Sequence, residues 1–258
     1  MRASWRWALA APALALALAG CGATASEPAE DATVAVYVSA PLEGADASDG
    51  SDVADGARLA LADAEGEAGG VRVRAEYLDV AGAGDGPFDP VRAAANARAA
   101  VEDSTAVGYV GELESGASRS SAPILNEADI LQVAPGSGAE DLVRAEPFSD
   151  DVPAEVQPTG VRTFAQLAET YPEGREPVPP APGDAEFEAD FEDEYGRPAG
   201  PYAALSYEAM ASILRAIEGA EDPTDRVAVV DAYFDGEERE SVLGTYRITD
   251  TGEFAPSE

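Results

Sequence analysis

The residues of this chain that could do chemistry are hydroxyls and carboxylates placed at the ends of short apolar runs. Ser115 follows the run from Ala106 to Gly111, and Ser137 follows Ile130-Leu131-Gln132-Val133, with Gly116 and Gly138 directly beside them. Glycine lets the backbone approach closely, and a hydroxyl next to the free N–H groups of a helix start suits the carboxylate of a small molecule. The same residues would also serve as a helix cap and a turn, and spacing alone leaves both readings open. Glu112 and Glu114 stand two apart at a strand end and so share a face, which is the form of an acid/base pair, although such side chains more often simply solvate. Gly116-Ala117-Ser118-Arg119-Ser120 has half the form of a nucleophile elbow and lacks its second glycine. The acid-rich run from Asp184 to Glu194 misses the spacing of a calcium loop, and its phenylalanines follow a helix face.

Composition narrows these options. The chain carries 50 Asp and Glu against 16 basic residues, all of them arginine, and no histidine, for a net charge of −34. Without histidine the triad base, the usual proton shuttle and the usual zinc ligand are missing, so His-dependent catalysis is excluded. A surface this acidic repels phosphate backbones, which excludes nucleic acid as a partner. No residue takes a catalytic or metal-ligating role on this pattern, and no cofactor is implied.

The elements that must position the hydroxyls alternate between strand and helix. Thr33 to Val38 has a buried-strand pattern, and Ser51 to Glu65 follows with Val53, Ala57, Ala60, Leu61 and Ala64 at helical spacing. Val71 to Leu78 alternates with period two, and Asp89-Pro90 supplies a cap and a first-turn proline for a helix reaching about Glu102. A third strand spans Ala106 to Gly111, Ser115 can cap a helix from Gly116 to about Ala128, and a fourth strand covers Ile130 to Val133. The class is therefore α/β, with a doubly wound parallel sheet. In such a sheet ligands bind beyond the carboxyl ends of the strands. Three loops qualify, at Ala40 to Gly50, Glu112 to Ser118, and Ala134 to Gly138.

The N-terminus reads as an address. Arg2 and Arg6 precede an Ala/Leu-rich stretch from Ala8 to Ala19 that is too short to span a bilayer, the order of parts of an export signal. Its end, Leu18-Ala19-Gly20-Cys21, resembles the bacterial lipoprotein signal. That resemblance implies cleavage before Cys21, a lipid on its thiol, and a place on the extracytoplasmic face of the cell membrane. Residues 1–20 would be the signal and 21–32 a flexible tether. Losing Arg2 and Arg6 takes the net charge from −34 to −36, and Cys21, the only cysteine, leaves no disulfide.

Longer blocks resemble the extracytoplasmic solute-binding proteins of branched-chain amino acid ABC transporters, the leucine-binding type. They are Ala40-Pro41-Leu42-Glu43-Gly44, Asp55-Gly56-Ala57-Arg58-Leu59-Ala60-Leu61, Leu78-Asp79-Val80, and Val110 to Ser118 continuing through Ala122-Pro123-Ile124-Leu125 to Ala134-Pro135-Gly136-Ser137. Later blocks are Phe187-Glu188-Ala189-Asp190-Phe191, Tyr195-Gly196, Tyr207-Glu208-Ala209-Met210 and Val242 to Glu253. The resemblance implies two α/β lobes on a three-stranded hinge, closing on an amino acid, and an ABC permease as partner. It makes Ser115, Gly116, Ser137 and Gly138 the groups around the ligand carboxylate, with Asp49 facing the ligand. Gly138 stands where members often carry a hydroxyl residue.

This chain departs from that pattern after Arg162-Thr163-Phe164. It runs through a Pro-rich stretch directly to the late helices, so on the order of 100 residues of second lobe are missing. The expected layout is a first-lobe segment at 33–165, a linker replacing the second lobe at 166–183, and a late segment at 184–258 that returns helices and a terminal strand to the first lobe. The fold would be one lobe of a two-lobed periplasmic-binding-protein-like architecture with a truncated second lobe. Phe187, Phe191, Leu205, Met210, Ile213, Leu214 and Ile217 read as core. A half-site leaves its ligand wet and weakly held. The alternative is a one-lobed structural, interaction or sensory lipoprotein, and loss of a lobe would bare an apolar sheet edge for self-association.

Overall fold

The computed structural model describes residues 32–82, 87–143, 162–171, 180 and 182–257. The expected signal at 1–20, Cys21, all of the expected tether but residue 32, and half of the expected linker at 166–183 lie outside the described residues.

The chain opens on β1 (Thr33–Ala40), followed by α1 (Ala47–Asp63) and a hairpin of β2 (Glu67–Ala68) and β3 (Val71–Asp79). Next come α2 (Pro90–Glu102), β4 (Ala106–Val110), α3 (Ser115–Glu127), β5 (Leu131–Ala134), a short 3-10 turn (Glu140–Leu142) and β6 (Phe164–Gln166). The late segment supplies α4 (Ala185–Tyr195), α5 (Ala203–Gly219), α6 (Arg226–Tyr233) and the strands β7 (Arg239–Ser241), β8 (Gly244–Ile248) and β9 (Phe254–Pro256). The main sheet has the order β2-β3-β1-β4-β5-β6. All its neighbours pair in parallel except β2 with β3. The last three strands form their own antiparallel sheet.

Strand alternation assigns the two faces. Val34, Val36 and Val38 of β1 join the core built with Val53, Ala57, Met210, Ile213 and Ile217, under α1 and α5. Ala35 and Tyr37 point the other way, into Ala97, Ala100, Tyr109, Leu125 and Ile130, under α2 and α3. Helices on both faces of a parallel sheet make the fold doubly wound, as the periodicity indicated. The seven late-segment residues read as core are all buried. Tyr246 and Ile248 of β8 enter the same core as β1. The N–H of Gln166 donates to Gly252 O at 2.9 Å, joining the end of β6 to the turn before β9.

Local signals explain several boundaries. Asp89 accepts from Val91 N at 2.8 Å with Pro90 at the first helical position, and Asp184 accepts from the N–H groups of Glu186 and Phe187. Two expectations change. Helix α1 starts at Ala47 rather than Ser51: the Gly50 N–H already donates to Asp46 O at 3.0 Å, and glycine there lets the first turn pack on Pro41, where an added Cβ would lie 1.9 Å from the carbonyl oxygen. Ser115 does not cap α3: it is the first helical residue, Glu114 holds the cap position, and the Ser115 hydroxyl bonds across the sheet instead. Among the described residues only Val91 and Val227 are large hydrophobics that stay exposed.

Candidate functional site

The chain leaves β1 toward β3 and then crosses back to β4 on the other side, so the loops after β1 and β4 diverge at the carboxyl end of the sheet. A cleft opens between them, walled by Pro41, Phe88, Leu113 and Tyr202 and ringed by Asp46, Asp49, Glu112 and Glu114. Its volume is about 30 Å3, room for a few waters rather than the roughly 300 Å3 or more of an ordinary ligand pocket. Among the described residues no arginine lines it.

The carboxylates feel one another. Asp49, in the first turn of α1, is pushed upward by partial burial and then by Asp52 and Asp46. Glu114 is raised by burial and by Asp46 and Asp49. Glu112 is fully buried, and burial lifts it from its ordinary value of 4.5 to about 7 against the pull of its hydroxyl donors. Ser39 donates to its Oε2 at 2.9 Å and Tyr109 to its Oε1 at 2.8 Å, while Asn96 Nδ2 donates to Ser39 Oγ at 3.0 Å.

Beside the cleft stands the hydroxyl pair. Ser115 Oγ accepts from the N–H groups of Gly138 at 3.3 Å and Ala139 at 3.2 Å, and lies 3.1 Å from the Tyr171 hydroxyl. Both Ser115 lone pairs are thereby engaged, so its proton points at the Tyr171 oxygen. Ser137 is wholly buried and turned inward: it donates to Glu112 O at 3.0 Å and pairs with Ser118 Oγ at 2.6 Å. The ring of Phe88 lies on Gly116, where a Cβ would come within 2.5 Å of it.

The structure thus gathers Ser115 and Gly138 at one point, puts Gly116 under Phe88, turns Ser137 into the scaffold and sets Asp49 in the wall of the neighbouring cleft. The sequence pattern missed Tyr171, Tyr202 and Phe88. Aromatic residues in loops carry no period, and Tyr171 meets Ser115 across 56 residues of chain. Among the described residues no group of three or more Asp, Glu or Cys is arranged to hold a metal ion, and no helix is long and apolar enough to cross a membrane.

A doubly wound sheet with a cleft at its switch point and a C-terminal three-stranded sheet locked to its edge defines one lobe of a periplasmic-binding-protein-like fold. Several solved transporter substrate-binding proteins share it. A leucine-binding protein of Thermotoga maritima matches with a TM-score of 0.65 at 14% identity, over 86% of this chain and 93% of that one. A substrate-binding protein of Desulfitobacterium hafniense in complex with leucine matches at 0.62 and 18% identity, over 86% and 94%. A solute-binding protein of Rhodopseudomonas palustris in complex with 3,4-dihydroxybenzoic acid matches at 0.68 and 12%, over 86% and 90%. No protein-family model and no curated protein sequence matches the chain. At these identities the likeness establishes the fold.

Proposed function

We propose that this chain is a lipid-anchored, extracytoplasmic solute-binding protein of a branched-chain amino acid-type ABC importer, tethered through Cys21 and delivering a small ligand to an ABC permease. The observation that carries the reading is the convergence of the Ser115 hydroxyl with the Gly138 and Ala139 N–H groups at the carboxyl end of the sheet. Those two N–H groups hold the Ser115 oxygen and leave its O–H as the donor that a carboxylate oxygen can take. The adjoining wall of Asp46, Asp49 and Glu114, with the rings of Phe88 and Tyr202, suits an ammonium group. A zwitterionic amino acid meets both demands. A ligand whose only charge is negative, such as a benzoate, meets the acidic wall with nothing to balance it.

Capture by this lobe alone is weak, because the cleft is small and buries little of a ligand. That smallness favours the second reading, a one-lobed structural, interaction or sensory lipoprotein. Titration of the full chain with leucine, isoleucine, valine and benzoate separates the two. Capture predicts heat and thermal stabilisation with the amino acids, none with benzoate, and loss of both in Ser115→Ala. No response to any amino acid at about 10 mM refutes capture.

A further inference from the structure

We propose that Tyr171 is a built-in stopper of the capture site, holding the place of a ligand carboxylate until a solute displaces it. The proposal rests on the capture reading and adds its regulation. The Tyr171 oxygen sits 3.1 Å from Ser115 Oγ and receives the Ser115 proton, because Ser115 spends its two lone pairs on Gly138 and Ala139. An oxygen acceptor at that point is what a carboxylate would present.

The stopper is seated by backbone as well. Tyr171 N–H donates to Gly138 O at 2.8 Å, and Glu140 N–H donates to Tyr171 O at 3.1 Å, a parallel bridge between the loop after β5 and the chain after β6. Its ring rests against the apolar group of Ala139, Leu142 and Phe164. This seat exists because residue 138 is glycine. A Cβ there would lie 2.7 Å from Tyr171 Cε1 and 2.5 Å from Glu169 O. The hydroxyl residue expected at 138 by resemblance and the tyrosine at 171 therefore exclude each other, and this chain carries the tyrosine.

The stopper is a small machine with separable parts. Removing the ring vacates the site without touching Ser115 or its N–H partners. Adding a methyl at 138 ejects the segment from the other side. Removing only the phenol oxygen leaves the ring seated but frees the Ser115 proton.

The test uses the full chain purified in detergent, as wild type, Tyr171→Ala, Tyr171→Phe and Gly138→Ala, each checked for folding by circular dichroism. Hydrogen exchange needs no ligand: the Glu140 amide should be protected in wild type and exchange at least tenfold faster in Gly138→Ala. Unchanged protection in that folded variant overturns the stopper. Leucine is the probe for titration, with Tyr171→Ala expected to bind at least tenfold more tightly than wild type and Tyr171→Phe in between. Equal affinities of wild type and Tyr171→Ala overturn the stopper and leave capture standing. Absence of binding in every variant, with the Gly138→Ala segment shown to be displaced, overturns capture and the stopper's purpose with it.

Discussion

Replacing Glu112 by glutamine should flatten the pH dependence of stability between about pH 4.5 and 7. The Glu112 carboxyl is fully buried, and its partners Ser39 and Tyr109 are neutral hydroxyls with no cation among them. Burial therefore dominates and lifts its pKa from 4.5 to about 7. The sign follows from linkage. The folded chain keeps a proton that the unfolded chain releases, so the contribution is fully present below about pH 4.5 and is lost as pH rises through about 7. The gap corresponds to about 3 kcal/mol, a large share of the roughly 5–15 kcal/mol of an ordinary domain.

Glutamine imitates the protonated acid in shape and keeps one acceptor, so its own cost is constant with pH. Urea unfolding of wild type and Glu112→Gln at half-unit steps from pH 4.5 to 8 isolates the effect. Glu114 and Asp49, also raised by burial first, are common to both proteins and cancel. Wild type should lose about 3 kcal/mol relative to the variant across that window, levelling off above it. Two parallel curves would refute the assignment of a buried, uncompensated acid.

Two further outcomes follow from the remaining charges and from Cys21. Asp52 is 1% exposed and its Oδ1 lies 2.8 Å from Arg197, which also reaches Asp55 at 2.8 Å and so ties α1 to the turn between α4 and α5. Arg197→Met should cost about 3–5 kcal/mol in urea unfolding by leaving the Asp52 charge buried alone, and Asp52→Asn less, whereas a loss under about 1 kcal/mol for Arg197→Met would refute the pairing. Cys21→Ser in an expressing bacterium should move the protein from the detergent phase to the aqueous phase in phase partition, and partition unchanged from wild type would remove the lipid anchor.

The fold was legible because its layers repeat a period. The Val34-Val36-Val38 alternation, the Ala/Leu spacing of α1 and the cap at Asp89-Pro90 are local signals, and each specifies its own element. Helix α6 was not legible, since Arg226-Val227-Ala228-Val229-Val230 is rich in β-branched residues and has the composition of a strand, and its packing against α5 and β4 together with the Asp225 cap makes it helical. Strands β6, β7 and β9 have three residues each, too few to show alternation. Ser115 and Ser137 were found as types at strand ends. Their opposite roles, one pointing outward and one inward, depend on Tyr171 and Ser118, which spacing does not connect.

That difference between the two serines bears on which part of the site can move. Buried strands of a parallel sheet are ordinarily apolar. Here Ser39, Glu112, Gln132 and Ser137 stand at the carboxyl end of the sheet with no exposure; Ser39 and Ser137 both bond to Glu112, and Gln132 bonds to Gly111 O beside it. Gln132 Nε2 holds Gly111 O at 2.9 Å, and Ser137 holds Glu112 O at 3.0 Å, so the loop after β4 is fixed by bonds that would leave buried groups unsatisfied if broken. Tyr171 is attached to the same wall by two backbone hydrogen bonds and one hydroxyl contact, each worth about 0.5–1.5 kcal/mol net, and its ring is only half-buried. A carboxylate can replace the hydroxyl contact with acceptors of its own, whereas no ligand can replace the bonds behind Ser137. The wall is therefore preorganised and the tyrosine exchangeable, so the capture proposed above would place its conformational change after β6 and not in the β4 loop.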